Sequence, residues 1–178
     1  MSKVFSPDRL DVAAFARAGA RLASHDPLAN HVRLMAEAAG PLPEAVVHWE
    51  AAGEQRQDGA GQPEPWLHLF AQTQIPLVCQ RCLGPVQVPL EVDRWFRFAP
   101  DEATAAALDE DSEDDVLAVS REFDLAGLVE DELLMALPVT PLHATCPQSL
   151  PQSAADPDFD VAQGQKPNPF AALSKLKN

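Results

Sequence analysis

The chain has 178 residues, of which 46% are hydrophobic and 22% are charged. It can therefore bury a core of about one domain and is not a wholly disordered polymer. No apolar run reaches the roughly 18 residues of a membrane-spanning helix, and the N-terminus lacks the pattern of a signal peptide, so a cytoplasmic protein is predicted. The net charge of −14 disfavours binding of nucleic acid through a basic patch, because such binding neutralises phosphates, and it favours basic proteins as partners.

The N-terminal region is predicted to be helical, with helices within residues 8–39. The Ala-rich stretch DVAAFARAGARLA is interrupted by Gly19. A second segment, DPLANHVRLMAEAAG, has Asp26 as a capping residue, Pro27 at the first helical position and Gly40 as a stop signal.

Residues 45–98 are predicted to form a β-hairpin region. The segments PEAVVHWEAAG and PWLHLFAQTQIPLV have the composition of partner strands, and a polar, Gly-rich connection lies between them. In PVQVPLEVDRWFRFAP apolar and polar residues alternate, which is typical of a half-buried antiparallel strand. Pro89 predicts an edge or a bulge in this strand. Trp95 interrupts its polar face and is predicted to pack under a loop rather than to stack on a base.

Acidic residues dominate the next part of the chain. Residues 101–132 contain thirteen acids and a single base, Arg121, and so account for −12 of the net charge. We predict an acidic, solvated loop over 100–115, which is either a solubilising loop or an interaction surface. DVLAVS is then predicted to be a short strand.

A helix is predicted over residues 124–137, with Asp124 as its cap and Pro138 after its end. Together these elements predict an α+β fold, in which a small antiparallel sheet packs against this helix with the N-terminal helices alongside. Residues 1–146 would form a single domain. Residues 147–178 would form a flexible Pro-rich tail that ends in a short helix.

The three cysteines and one histidine predict a metal site. Cys79 and Cys82 form a C-x-x-C pair at the turn between two predicted strands, and His143 and Cys146 repeat that spacing after the predicted helix. Cys₃His is a standard closed tetrahedral zinc set. A closed site has no position for a substrate, so the predicted zinc would be structural.

Other interpretations of the cysteines stay open. A thiol oxidoreductase is one, although a redox C-x-x-C usually opens a helix, where the thiol pKa is lowered. A metal-free fold with three ordinary cysteines is another. His143 is the weakest ligand prediction, because three cysteines and a water or carboxylate would also complete a site. No catalytic motif is found in the sequence, so no catalytic residues and no enzyme activity are predicted.

Three separated segments, LVCQRCLGPV, LVEDELLMALPVTPLHATC and QKPNPFAALSKLK, resemble the YceD family, the bacterial large ribosomal RNA subunit accumulation proteins. The resemblance covers roughly residues 40–178. It implies a ribosome biogenesis factor that supports synthesis, processing or stability of large-subunit (23S) ribosomal RNA. Members are described as predicted metal-binding proteins, and no enzymatic activity is established for them.

The acidic charge of residues 101–132 and the composition of the closing segment suggest residues that contact a partner. The positions that match the family motifs include Glu130, Asp131 and Glu132, and near the C-terminus Asn168 and Phe170. Together with Leu173 they are predicted to bind a basic ribosomal protein, an assembly factor or the large-subunit precursor, with weak or absent direct binding of nucleic acid. The main alternative is an RNA-binding zinc module, for which Arg81, Arg94 and Arg97 would supply only a small basic patch.

Overall fold

A computed structural model describes residues 4–40 and 44–147. Within this part of the chain there are five strands and four α-helices, with short 3₁₀ turns at Pro7–Arg9 and Leu28–Asn30. The strands are β1 (Arg21–Pro27), β2 (Val46–Gln57), β3 (Pro63–Val78), β4 (Pro85–Ala99) and β5 (Asp115–Ala118). The helices are α1 (Val12–Arg17), α2 (Val32–Ala36), α3 (Glu102–Asp109) and α4 (Leu125–Met135).

The strands form one sheet in the order β1-β2-β3-β4-β5. The first three pairs are antiparallel, and β5 runs parallel to the end of β4. The predicted α+β class is therefore confirmed. The compact unit that contains the sheet ends at Ala144, and of the unit that follows, the structure describes residues 145–147.

One face of the sheet carries the core. Side chains alternate between the two faces of a strand, and most of the positions that pair across β2, β3 and β4 on this face are apolar and buried, with Thr73 and Arg94 as exceptions. They pack with apolar residues of α1 and α4. The main members of this core are Phe15, Trp49, Leu67, Leu69, Ile75, Leu90, Phe96, Phe98, Leu125, Val129 and Leu133. The opposite face is called the outer face below.

Gly53 allows α1 to lie directly against β2. A Cβ atom at this position would lie 2.8 Å from the backbone carbon of Phe15 and 2.7 Å from a ring carbon of the same residue. These distances are shorter than any that packed atoms adopt, so a side chain here would push α1 away from the sheet.

The predicted N-terminal helices are partly wrong. Residues 21–27 form β1, which pairs with β2, and α2 spans only Val32–Ala36. Asp26 therefore lies in a strand, where its carboxylate accepts a hydrogen bond from the Trp49 indole at 2.7 Å. α1 ends at Arg17, and Gly19 then adopts a left-handed backbone (φ 55°) that redirects the chain into β1.

Part of the predicted acidic loop is also helical. α3 begins after Asp101, whose carboxylate accepts the Thr104 backbone N–H at 2.8 Å, and this hydrogen bond lowers the pKa of Asp101. The run EATAAALD then supplies good helix formers. α3 packs through Ala105 and Leu108 on Ala99 and Val116, on the outer face at the β4–β5 end of the sheet.

Two sequence predictions concern β4, namely an edge or a bulge at Pro89 and a loop packed over Trp95. β4 is an interior strand only where β5 pairs with Phe96–Ala99, and at Pro89 its sole partner among the described strands is β3. The missing N–H of Pro89 thus lies where β4 is an edge, as predicted. No loop of the described residues was found to cover Trp95, which stacks instead on His68 of β3 with ring centroids 4.5 Å apart. The predicted helix at 124–137 is confirmed as α4, capped by Asp124.

Among the described residues no helix is both long and apolar enough to cross a membrane. The predicted tail and terminal helix, with Asn168, Phe170 and Leu173, lie outside the described residues.

Candidate metal centre

Cys79 and Cys82 lie on the tight turn between β3 and β4, called the cysteine turn below (residues 79–84). The Cys79 backbone N–H donates to the Gly84 carbonyl at 2.9 Å, and the Leu83 N–H donates to the Cys79 carbonyl at 2.8 Å. Leu83 adopts a left-handed backbone (φ 59°), which is unusual for a residue with a side chain. These constraints bring the two thiols to one side of the turn.

The segment that follows α4 runs past the cysteine turn. The Gln80 backbone N–H donates to the carbonyl of Pro141 at 2.9 Å. Two residues later, Nδ1 of His143 lies 3.4 Å from Sγ of Cys82. The imidazole and the cysteine turn are therefore brought together although 61 residues separate His143 from Cys82 in sequence.

The predicted ligand set converges. One ligand atom from each of Cys79, Cys82, His143 and Cys146 can be chosen so that all four lie within 4.8 Å of one another. Ligand atoms around a tetrahedral zinc ion, with Zn–S near 2.3 Å and Zn–N near 2.0 Å, lie roughly 3.5–3.8 Å apart. A small contraction would close this cluster on an ion. The Cys₃His donor chemistry fits zinc, and the cluster is the candidate metal centre.

The environment of Cys79 favours a thiolate. The residue is completely buried, and desolvation acts to raise its pKa. Hydrogen bonds from the backbone N–H groups of Cys82, His143 and Arg81, together with the His143 side chain, outweigh desolvation and lower the pKa of Cys79 to about 5. A thiolate is the form that binds zinc. It is also the reactive form in thiol exchange, and no disulfide joins any of the three cysteines.

Glu130, which was predicted to bind a partner, forms hydrogen bonds with other residues of the same chain. It accepts the backbone N–H groups of Arg33 and Leu34 at 2.7 and 3.2 Å, and Nε of Arg33 donates to it at 2.9 Å. Because α2 has no side-chain cap of its own, Glu130 serves as its N-terminal acceptor from another helix. Desolvation would raise the pKa of Glu130, but these hydrogen bonds lower it.

Glu132 and Asp131 differ in exposure. Glu132, with 10% of its side chain exposed, accepts Nη1 of Arg94 at 3.1 Å and so ties α4 to β4. Asp131 pairs with Arg33 and keeps 55% of its side chain exposed. Of these three acids, Asp131 is the one most available to a partner. The contacts of Glu130 and Glu132 with Arg33, Leu34 and Arg94 are called the carboxylate junction below.

Arg33 and Arg94 were not predicted as partners of this acidic motif. Neither arginine lies at a helical or strand spacing from its carboxylate, since Arg33 is 97 residues from Glu130 and Arg94 is 38 residues from Glu132. The available signal was the position of Arg94 on the apolar side of β4, where a charge needs a partner.

Comparisons with known proteins agree with the motifs. The family model described as "Large ribosomal RNA subunit accumulation protein YceD" matches residues 67–177, which include all four candidate ligands and α4. A protein of Haemophilus influenzae (strain ATCC 51907 / DSM 11121 / KW20 / Rd) with that same name is 37% identical over 109 residues.

That alignment covers 60% of this chain and 62% of the relative, so it spans less than two thirds of the relative's length. No solved structure matches the chain. Because the family model covers more than half of the sequence and contains the cysteine turn, the helix and its acidic motif, this chain belongs to the YceD family.

Proposed function

We propose that this protein supports the synthesis, processing or stability of large-subunit (23S) ribosomal RNA as a ribosome biogenesis factor in the cytoplasm. The observation that carries the proposal is the family match over residues 67–177. The curated relative is named for accumulation of the large ribosomal RNA subunit. No catalytic step is part of this proposal.

The metal centre would act as a structural clip. Four protein ligands would complete the coordination of zinc and leave no position for a substrate. The ion would hold the cysteine turn against the segment after α4, which the Gln80–Pro141 hydrogen bond already joins.

Charge supports a basic protein as the immediate partner. The chain carries −14, and residues 109–115, from the end of α3 to the start of β5, are six acids and one serine. Such a surface would attract a basic ribosomal protein or assembly factor and hold it until it joins the large-subunit precursor. The contact should form quickly and weaken strongly with salt. Asp131 and the segment with Asn168, Phe170 and Leu173 are proposed as further contacts.

Depletion of the protein in its own host tests the role. We expect the ratio of 23S to 16S ribosomal RNA to fall and immature large subunits to accumulate, and we expect the wild-type gene to restore both. An unchanged ratio after complete depletion would refute the role. A pull-down at low and high salt tests the partner class, and tight binding of naked ribosomal RNA with no binding of basic ribosomal proteins would favour the RNA-binding zinc module.

A thiol oxidoreductase is a further candidate beside the RNA-binding zinc module, because the pKa of Cys79 is lowered to about 5. Its C-x-x-C lies between two strands and not at a helix N-terminus. The zinc content of protein purified without chelator distinguishes the structural zinc clip from the oxidoreductase. About one zinc per chain supports the clip, whereas metal-free protein with a reversible Cys79–Cys82 disulfide supports redox chemistry.

A further inference from the structure

The outer face of the sheet is open across its middle strands. α1 and α4 pack on the core face, and α3 covers only the β4–β5 end of the outer face. Within the described residues, no helix covers the outer side chains of β2, β3 and β4 between that end and the cysteine turn. The strand register places these side chains in successive rows across the sheet.

One end of this open face is an acidic groove of about 600 Å³. None of the described residues that line the groove is a lysine or an arginine. Its carboxylates, Glu44 and Glu91, form no ion pair with any described residue. The residues that line it are Glu44, Ala45, Val46, His48, Gln72, Thr73, Gln74, Gln87, Pro89, Leu90 and Glu91.

The other end is an aromatic cluster that already holds a cation. The Arg56 guanidinium carbon lies 4.3 Å from the ring centroid of Trp66 and 3.9 Å from that of Trp95. His68 stacks on Trp95 and is 2.6 Å from a carboxylate oxygen of Asp93. Partly exposed tryptophans of this kind attract the stems and charged ends of basic side chains.

The cations of this face are already neutralised. Arg21 pairs with Glu50, Arg56 with Glu54, and Arg97 with Glu64. Among the described carboxylates of this face, Glu44 and Glu91 have no ion-pair partner, and Asp93 has only His68. Phosphates would be repelled by this residual charge, whereas lysine and arginine side chains would be attracted.

We infer that the open outer face binds an extended, lysine- or arginine-rich protein segment, with the groove taking basic side chains at one end and the aromatic cluster at the other. From Gln74 to Trp66 there are eight residue steps along β3, or about 27 Å at the rise of a strand. A segment of about eight extended residues would span it. This inference rests on the proposed basic partner and names the surface that contacts it.

Titration of the full chain with labelled octalysine at low salt, followed by NMR, tests the inference. We expect signals of His48, His68 and Trp95 to shift. The variant Glu44→Gln/Glu91→Gln should raise the octalysine Kd by about fivefold, because two unpaired carboxylates are lost. The control Asp8→Asn/Glu37→Gln removes the same charge from two exposed residues that do not line the groove and should change the Kd by less than about twofold.

Equal weakening by both variants would show diffuse electrostatic attraction and overturn the inference. Preferential binding of an octauridylate over octalysine would also overturn the inference, because it would indicate that the outer face binds RNA. A zero-length cross-link from Glu91 to Lys175 or Lys177 within one chain, with no octalysine binding, would show that the chain's own C-terminal segment occupies the face. Each of these results would leave the role in ribosomal RNA accumulation intact, because depletion in the host tests that role separately.

Discussion

Two junctions join elements that are far apart in the sequence, and they differ in chemistry. The candidate metal centre gathers Cys79, Cys82, His143 and Cys146. The carboxylate junction joins α4 to α2 and β4 through Glu130 and Glu132. Every ligand of a coordination shell is needed to bind the metal, whereas each hydrogen bond or ion pair contributes separately to the stability of the fold. We therefore expect single substitutions to act in an all-or-none way at the first junction and in a graded way at the second.

The largest effect is expected from removal of a ligand at the metal centre. Cys82→Ser should abolish the bound zinc and lower Tm by about 10 °C or more, because metal binding contributes directly to folding. Elemental analysis and thermal unfolding measure both. His25→Asn is the matched control, since His25 lies on β1 and contacts His48. Retention of a full zinc complement by Cys82→Ser would contradict the ligand set.

At the carboxylate junction, Glu130→Ala should lower the free energy of unfolding by about 2 kcal/mol. The substitution leaves the backbone N–H groups of Arg33 and Leu34 without their acceptor. Asp131→Asn alters a more exposed carboxylate of the same helix. It should lower the free energy of unfolding by less than about 0.5 kcal/mol. Denaturant unfolding compares the two, and equal costs would show that Glu130 does not cap α2.

A smaller effect is expected from Glu132→Gln. This change keeps the shape of the side chain but removes its charge beside Arg94. Arg94 also pairs with Asp115 and is 40% exposed, so the loss should be about 1 kcal/mol. A double-mutant cycle with Arg94→Met measures the coupling, and additive losses would show that the pair contributes nothing.

The smallest effect concerns pH. Because the folded-state pKa of Glu130 lies below its ordinary value of 4.5, its contribution is present above about pH 4.5 and is lost as pH falls through the folded pKa. Glu130→Gln should therefore lose less stability than the wild type between pH 5 and pH 3, by under about 1 kcal/mol. If the free energies of unfolding of the two proteins fell equally over that pH range, the lowered pKa of Glu130 would be contradicted.

The two junctions are also unequally predictable from sequence. Cysteine and histidine are rare residues, and their repeated spacing is enough to predict that these four side chains lie together. The α4 helix could be predicted because Asp124 caps a run of apolar residues at helical spacing. The partners of Glu130 and Glu132 could not be predicted, because arginine is common on protein surfaces. Only the tertiary fold determines that Arg33 and Arg94 are the arginines that lie beside them.

The missed β1 strand has a related cause. Leu22, Ser24 and Asp26 alternate as half-buried positions, but the stretch is Ala-rich at its start and contains a helix-capping residue, so local propensity favoured a helix. Pairing with β2 overrides that propensity. α3 was missed for the opposite reason, since the charge of residues 101–115 masked a short capped helix.

The sharpest test of the metal centre is X-ray absorption of the full chain purified without chelator, together with its zinc content. We predict one zinc per chain, bound by three sulfur atoms and one nitrogen at about 2.3 and 2.0 Å. Protein without metal, or a zinc shell with two or fewer sulfur atoms, would contradict the claim that Cys79, Cys82, His143 and Cys146 form a closed structural centre.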